Sequence, residues 1–278
     1  MRYQDGYFSN QEKHSLYYQN WLPDNRPKAA LMIMHGLNEH SGRYAKFADI
    51  FVGDGFAVYG MDLYGHGKSE GTRSYVREFS QYIRDYYLYL EMIKEWRPDC
   101  PIFLIGHSMG GLIGTVFLID HPEHISGAVL SGSVVQVPAD ISAVTIKLGQ
   151  IISGILPKMG MLGLDLSGLS RNPEVVQAYK DDPLVYTGKF TVRISAEMNK
   201  AMDRVAEEAD QIKHPLLLLH GGADYIVSPS DSKYLHGLVS SDDKQLILYP
   251  DFYHEIYNDY GNEQVFKDVT GWLNNRLK

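Results

Sequence analysis

The chain has 278 residues, a net charge of −8, 44% apolar residues and 22% charged residues. This length and composition suit one large globular unit that buries its own core. The acidic balance argues against nucleic acid as a partner, because phosphates call for clustered Lys and Arg, and against electrostatic docking on anionic lipid.

Residues 1–6 lack the apolar stretch of a signal peptide, and no segment reaches the ~18 uninterrupted apolar residues of a spanning helix. The expectation is a cytoplasmic protein, peripheral to membranes where it meets them. Residues 3–8 and Ser15–Leu22 read as an antiparallel edge hairpin. Residues 29–35 then form a nearly continuous apolar run that ends in Gly36. Five further runs follow, at 56–61, 101–105, 127–130, 215–219 and 245–249. Runs of this kind suit strands covered on both faces, as in a parallel sheet. The single cysteine, Cys100, excludes an internal disulfide and reads as a small hydrophobe at a strand edge.

Helical spacing lies between the runs. Tyr44, Phe47, Ala48 and Phe51 follow it, as do Tyr82, Ile83, Tyr86, Leu90 and Ile93. The tyrosine stripe of that second helix reads as core packing. Val265, Phe266, Val269, Trp272 and Leu273 close the chain. The alternation predicts an α/β fold with a mostly parallel central sheet and helices on both faces. Residues 134–206 break the rhythm with ragged helical spacing and no buried-strand run. They are expected to form an inserted helical cap, with 1–133 and 207–278 as the core.

Gly106-His107-Ser108-Met109-Gly110 follows a strand-like run and precedes a helical one. In that context G-x-S-x-G is a nucleophile elbow. The chain must turn sharply there, with the Ser108 hydroxyl exposed and no room for side chains at 106 and 110. The helix start places the Met109 amide beside a developing oxyanion. The second oxyanion donor belongs on the loop after the first central strand, which assigns it to the Leu37 amide.

A serine needs a base, and eleven histidines compete for the role. The chain order Ser, acid, His removes all those before Ser108. His121 and His124 fall at the far end of the elbow helix, and His214 precedes a strand. His220 leaves no acid between itself and the serine in a suitable loop, and His236 lies within a helix. His254 remains, on a loop at the carboxyl end of the last strand. Asp224, just after the strand before it, is the favoured acid. Asp231, Asp242 and Asp243 read as solvent-exposed cap or turn carboxylates, and Asp251 shares the His254 loop. Asp62 to Ser69 reads as a Gly-rich turn in which Asp62 and Ser69 bond local backbone. No His/Cys cluster has metal spacing, so neither metal nor cofactor is expected.

His35-Gly36-Leu37-Asn38-Glu39-His40-Ser41-Gly42-Arg43-Tyr44, the Asp62–Ser69 run, the elbow, and the Asp224 and His254 segments together resemble the monoacylglycerol lipase branch of the α/β-hydrolases. Ser170-Arg171-Asn172-Pro173 and Asp182-Pro183-Leu184 add to the likeness. The resemblance implies a polar, glycerol-binding pocket near the serine and an apolar acyl tunnel beneath a mobile cap. Glu39 and Arg43 would form the polar end. Tyr257 stands where the animal enzymes carry a second histidine, and Tyr179 is a further candidate. The implied activity is monoacylglycerol hydrolysis. The rivals are a lysophospholipase, a short- or medium-chain carboxylesterase, and a non-catalytic binding protein of the same fold. The expected partner is a lipid ester. Ile146, Leu148, Ile151, Ile152, Ile155, Leu156, Met159, Met161, Leu162 and Leu164 are expected to line the acyl tunnel and touch micelles or membranes reversibly.

Overall fold

The computed structural model describes residues 1–138, 141–161 and 163–277. Its elements are β1 (Arg2–Ser9), β2 (Ser15–Leu22), β3 (Ala30–Met34), α1 (Ala45–Gly53), β4 (Ala57–Met61), α2 (Ser80–Trp96), β5 (Ile102–His107), α3 (Met109–Asp120) and β6 (Gly127–Ser131). They continue with α4 (Ala143–Ile155), α5 (Pro173–Asp181), α6 (Val192–Glu208), β7 (Leu216–Gly221), α7 (Pro229–Leu238), β8 (Lys244–Tyr249) and α8 (Asn262–Asn274). The strands form one sheet in the order β1-β2-β4-β3-β5-β6-β7-β8. The β1–β2 and β2–β4 pairs are antiparallel, and the remaining pairs are parallel.

The apolar runs become strands because both of their faces are covered. Every residue of β3 to β7 is buried. The pleat sends Ala30, Met32 and Met34 to one core and Leu31 and Ile33 to the other. The first core meets α2 and α3 through Tyr82, Tyr86, Leu112 and Phe117. The second meets α1 and α8 through Phe47, Phe51, Val269 and Trp272. Strand order reverses at β3: β4 lies on one side of it and β5 on the other. The crevice beyond the carboxyl ends of β3 and β5 is therefore where such a sheet binds ligands.

Between β6 and β7 the chain leaves the sheet, and its described residues contribute no strand to it. It forms α4, α5 and α6, each opened by a side-chain cap from Ser142, Asn172 or Thr191. The expected boundary after residue 206 falls inside the last turn of α6. Helix α4 packs on α6, and α6 reaches down to α3. Further ties hold residues 168–186 to the core. Gly168 and Leu169 carbonyls accept from the His254 and Glu255 amides, and Arg171 pairs with Asp259. Asp182 meets His40 at 2.9 Å. Among the described residues no hydrogen bond or ion pair ties α4 to the sheet or its flanking helices, and Ser153 is its one buried residue. Val144, Leu148, Ile151 and Ile155 recur at helical spacing along its outer face, exposed by 68%, 54%, 57% and 73%. Leu162 lies outside the described residues. Among those described, no helix is long and apolar enough to cross a membrane.

Candidate active site

The turn from β5 into α3 holds Ser108 at φ 55° and ψ −119°, a left-handed conformation that strains a residue bearing a Cβ. The turn is tight because the flanking glycines allow it. A Cβ at Gly106 would lie 2.7 Å from the Gly110 carbonyl oxygen, and one at Gly110 would lie 1.8 Å from the Met34 carbonyl oxygen. Ser131 O accepts from the Ser108 amide at 3.0 Å, which anchors the turn to β6. Both amides expected to hold an oxyanion, Leu37 N and Met109 N, belong to residues lining the same cavity as Ser108. Neither donates to another group among the described residues.

His254 and Asp224, thirty residues apart, meet as expected from the two strand ends. His254 Nδ1 donates to Asp224 Oδ2 at 2.7 Å, and both side chains are buried. That partner puts the proton on Nδ1 and leaves Nε2 free to accept. Asp224 Oδ1 accepts from the Ile226 and Val227 amides at 2.9 and 3.0 Å. Burial raises the carboxyl pKa, but His254 and the hydrogen bonds outweigh it and hold the group well below the usual carboxylate range. Gly132, at φ 53°, leaves space where a Cβ would lie 3.2 Å from the His254 ring.

Beside the serine stands a buried polar wall. Glu39 accepts from the Gly36 amide at 2.6 Å, from Arg43 Nη1 at 2.7 Å and from Tyr44 Oη at 3.0 Å. Burial pushes the Glu39 pKa up, yet Arg43 and His107 bring it down to about 2. Arg43 also donates two hydrogen bonds, at 2.6 and 2.7 Å, to Glu255. One guanidinium thus serves two carboxylates, with the Tyr179 ring 4.5 Å from its centre. His107, 4.6 Å from His254 between ring centroids, is held to about 4 by burial and by the neighbouring imidazole.

Ser108, His254, Glu39, Glu255 and Tyr179 all open onto one cavity of about 420 Å³. Its far walls are apolar side chains such as Ile146, Met161, Leu164, Phe190 and Met202 from residues 134–206. Arg43 stands behind Glu39 and Glu255 and does not line this cavity. Tyr257 does not reach it either: its ring packs among Phe47 and Phe266, and it lines a separate small void behind the wall. Of the carboxylates read as solvated, Asp242 and Asp243 are exposed, but Asp231 is buried and accepts from the Val135 and Gln136 amides. The chain leaving β6 supplies those amides, a contact invisible to local spacing. Glu255 and His107 were not singled out from the sequence. Their signal was adjacency, since each directly neighbours a candidate catalytic residue.

Strand order, elbow and imidazole–carboxylate pair together define a serine hydrolase of the α/β-hydrolase fold. The profile of the family described as serine aminopeptidase, S33 matches residues 25–261, and the chain belongs to that family. It is similar to the monoacylglycerol lipase of Mycolicibacterium smegmatis, at 34% identity over 94% of this chain and 93% of that protein. It is also similar to the monoglyceride lipase of Mus musculus, at 33% identity over 99% of this chain and 92% of that one. Among solved structures, a monoacylglycerol lipase from Paleococcus ferrophilus matches with a TM-score of 0.83 at 30% identity, covering 99% of this chain and all of the other.

Proposed function

We propose that the protein hydrolyses monoacylglycerols to a fatty acid and glycerol through an acyl-enzyme on Ser108. His254 Nε2 takes the Ser108 proton as Oγ attacks the ester carbonyl. The Leu37 and Met109 amides receive the oxyanion, and His254 returns the proton to the departing glycerol oxygen. Water then enters, gives a proton to His254 and attacks the acyl carbon, and Ser108 leaves with that proton. Asp224 fixes the imidazole tautomer and offsets its positive charge. Neither metal nor cofactor is needed for these steps.

The observation that carries the reading is the two-ended cavity at Ser108. A buried wall of carboxylates, imidazole and phenol faces one side, and apolar side chains of residues 134–206 face the other. The polar end suits the hydroxyls of glycerol, and the apolar end suits one acyl chain. Glu39 and Tyr179 would meet the alcohol directly, while Arg43 holds Glu39 and Glu255 in place. Residues 134–206 act as the cap. The outward stripe of α4 touches lipid surfaces reversibly, because that much apolar surface in one row fits a non-aqueous neighbour.

The test compares kcat/KM for monolauroyl-, dilauroyl- and trilauroylglycerol and lauroyl-lysophosphatidylcholine in one detergent. A site built to bond free hydroxyls should favour the monoacylglycerol by roughly tenfold or more. Equal or better turnover of the lysophospholipid would transfer the assignment to lysophospholipase. Equal turnover of the triacylglycerol would remove the closed polar end from the reading.

A further inference from the structure

Asp224 receives a second imidazole. His220, the penultimate residue of β7, directs Nε2 at Asp224 Oδ2 (3.1 Å) and at the Val227 carbonyl (3.1 Å). Both are acceptors, so Nε2 carries the hydrogen. On the opposite edge of the ring, Nδ1 lies 2.7 Å from Ser232 Oγ on α7 and accepts a hydrogen bond from it. The His220 and Asp224 side chains have no solvent exposure, and Ser232 is fully buried. We infer that His220 is a positioning residue for hydrolysis: with its tautomer set by the two acceptors at Nε2 and its other edge held by Ser232, it ties the loop-borne acid to the rigid end of β7 and shares Asp224 Oδ2 with His254. This inference rests on the triad reading given above.

The physical need is specific. Asp224 lies on a loop, and so does His254. Without His220, Oδ2 would have one partner, and the two amides on Oδ1 would allow the carboxylate to pivot. A small rotation of the carboxylate turns the His254 ring and moves Nε2 relative to Ser108. His220 supplies the third point of attachment from an element that the sheet holds still. No proton leaves His220 during turnover; it donates throughout.

The experiment measures kcat and KM separately on a soluble p-nitrophenyl ester. His220→Leu is expected to lower kcat about 10- to 100-fold with KM nearly unchanged, the loss typical of a slightly misplaced catalytic group. His220→Gln, whose side-chain amide can still donate to Oδ2, should recover most of that loss. Ser232→Ala keeps the imidazole but removes the hydrogen bond that holds its other edge to α7, and should lower kcat several-fold. In an Asp224→Asn background, His220→Leu should cost less than about 2-fold more, because the two act as a unit. Wild-type kcat in His220→Leu would overturn the inference, and so would an equal loss in both backgrounds. Should His220→Leu fail to fold, an unchanged kcat in Ser232→Ala overturns it. Full activity of Asp224→Asn alone would instead bring down the triad reading, independently of any His220 variant.

Discussion

Helices α3 and α4 have twelve and thirteen residues, and apolar side chains dominate both. Their fates are opposite. The sheet, α2 and α6 close around α3, and every residue from Met109 to Leu118 is buried. Helix α4 packs on α6, lends Ile146 to the cavity and turns Val144, Leu148, Ile151 and Ile155 outward. A helix apolar on all sides needs an apolar environment on all sides. For α3 the protein supplies it. For α4 the protein supplies half, and the other half faces whatever approaches the mouth of the cavity. The contrast is one of support: α3 is packed on all sides behind Ser108, and α4 borders the cavity with its outer face open.

The comparison can be broken at its rigid end first. Ser108→Ala, at the entry to α3, should lower kcat by ~10⁴-fold or more and abolish labelling by a fluorophosphonate, with circular dichroism unchanged. Retained activity in the purified variant would leave the elbow without its role. Asp224→Asn should cost about 10⁴-fold in kcat, because the amide favours the wrong imidazole tautomer. Asp251→Asn, exposed on the His254 loop, should change kcat little, and the reverse ranking would move the acid to Asp251.

Stability should separate the two helices as sharply as activity does. Phe117→Ala, fully buried in α3, should destabilise by about 3–5 kcal/mol in denaturant unfolding. Ile151→Ala, on the outer stripe of α4, should stay within about 0.5 kcal/mol of wild type. Similar losses at both sites would mean that the stripe is covered by protein. The smallest effect sharpens the comparison most. Leu148→Ser, Ile151→Ser and Ile155→Ser combined should leave turnover of a soluble ester within about 2-fold, since the stripe faces away from the chemistry. The same variant should lose flotation with neutral liposomes and turn over emulsified substrate several-fold more slowly. Absence of flotation in the wild-type protein, with or without a substrate analogue, would remove the lipid contact.

Much of this protein was legible along the chain because it is governed locally. A strand buried on both faces must be apolar throughout, so the runs before Gly36, Ser108, Asp224 and His254 announced their strands, and the sheet gathers their ends at one edge. The elbow declared itself through glycines whose Cβ atoms would collide with Met34 and Gly110 carbonyls. Glu39 and Arg43, one helical step apart, form an ion pair at 2.7 Å. The tertiary structure alone decided how such local pieces are joined. Arg43 meets Glu255 across 212 positions. His220, which the chain order excludes as a base, donates to Asp224 from the end of β7. Asp231, which local spacing places in solvent, is buried under the chain that leaves β6. Tyr257, in register with a substrate-binding position, is walled off by Phe47 and Phe266. Spacing within an element fixes which residues share a face. Strand order and packing fix what that face meets, and those depend on contacts far apart in the chain.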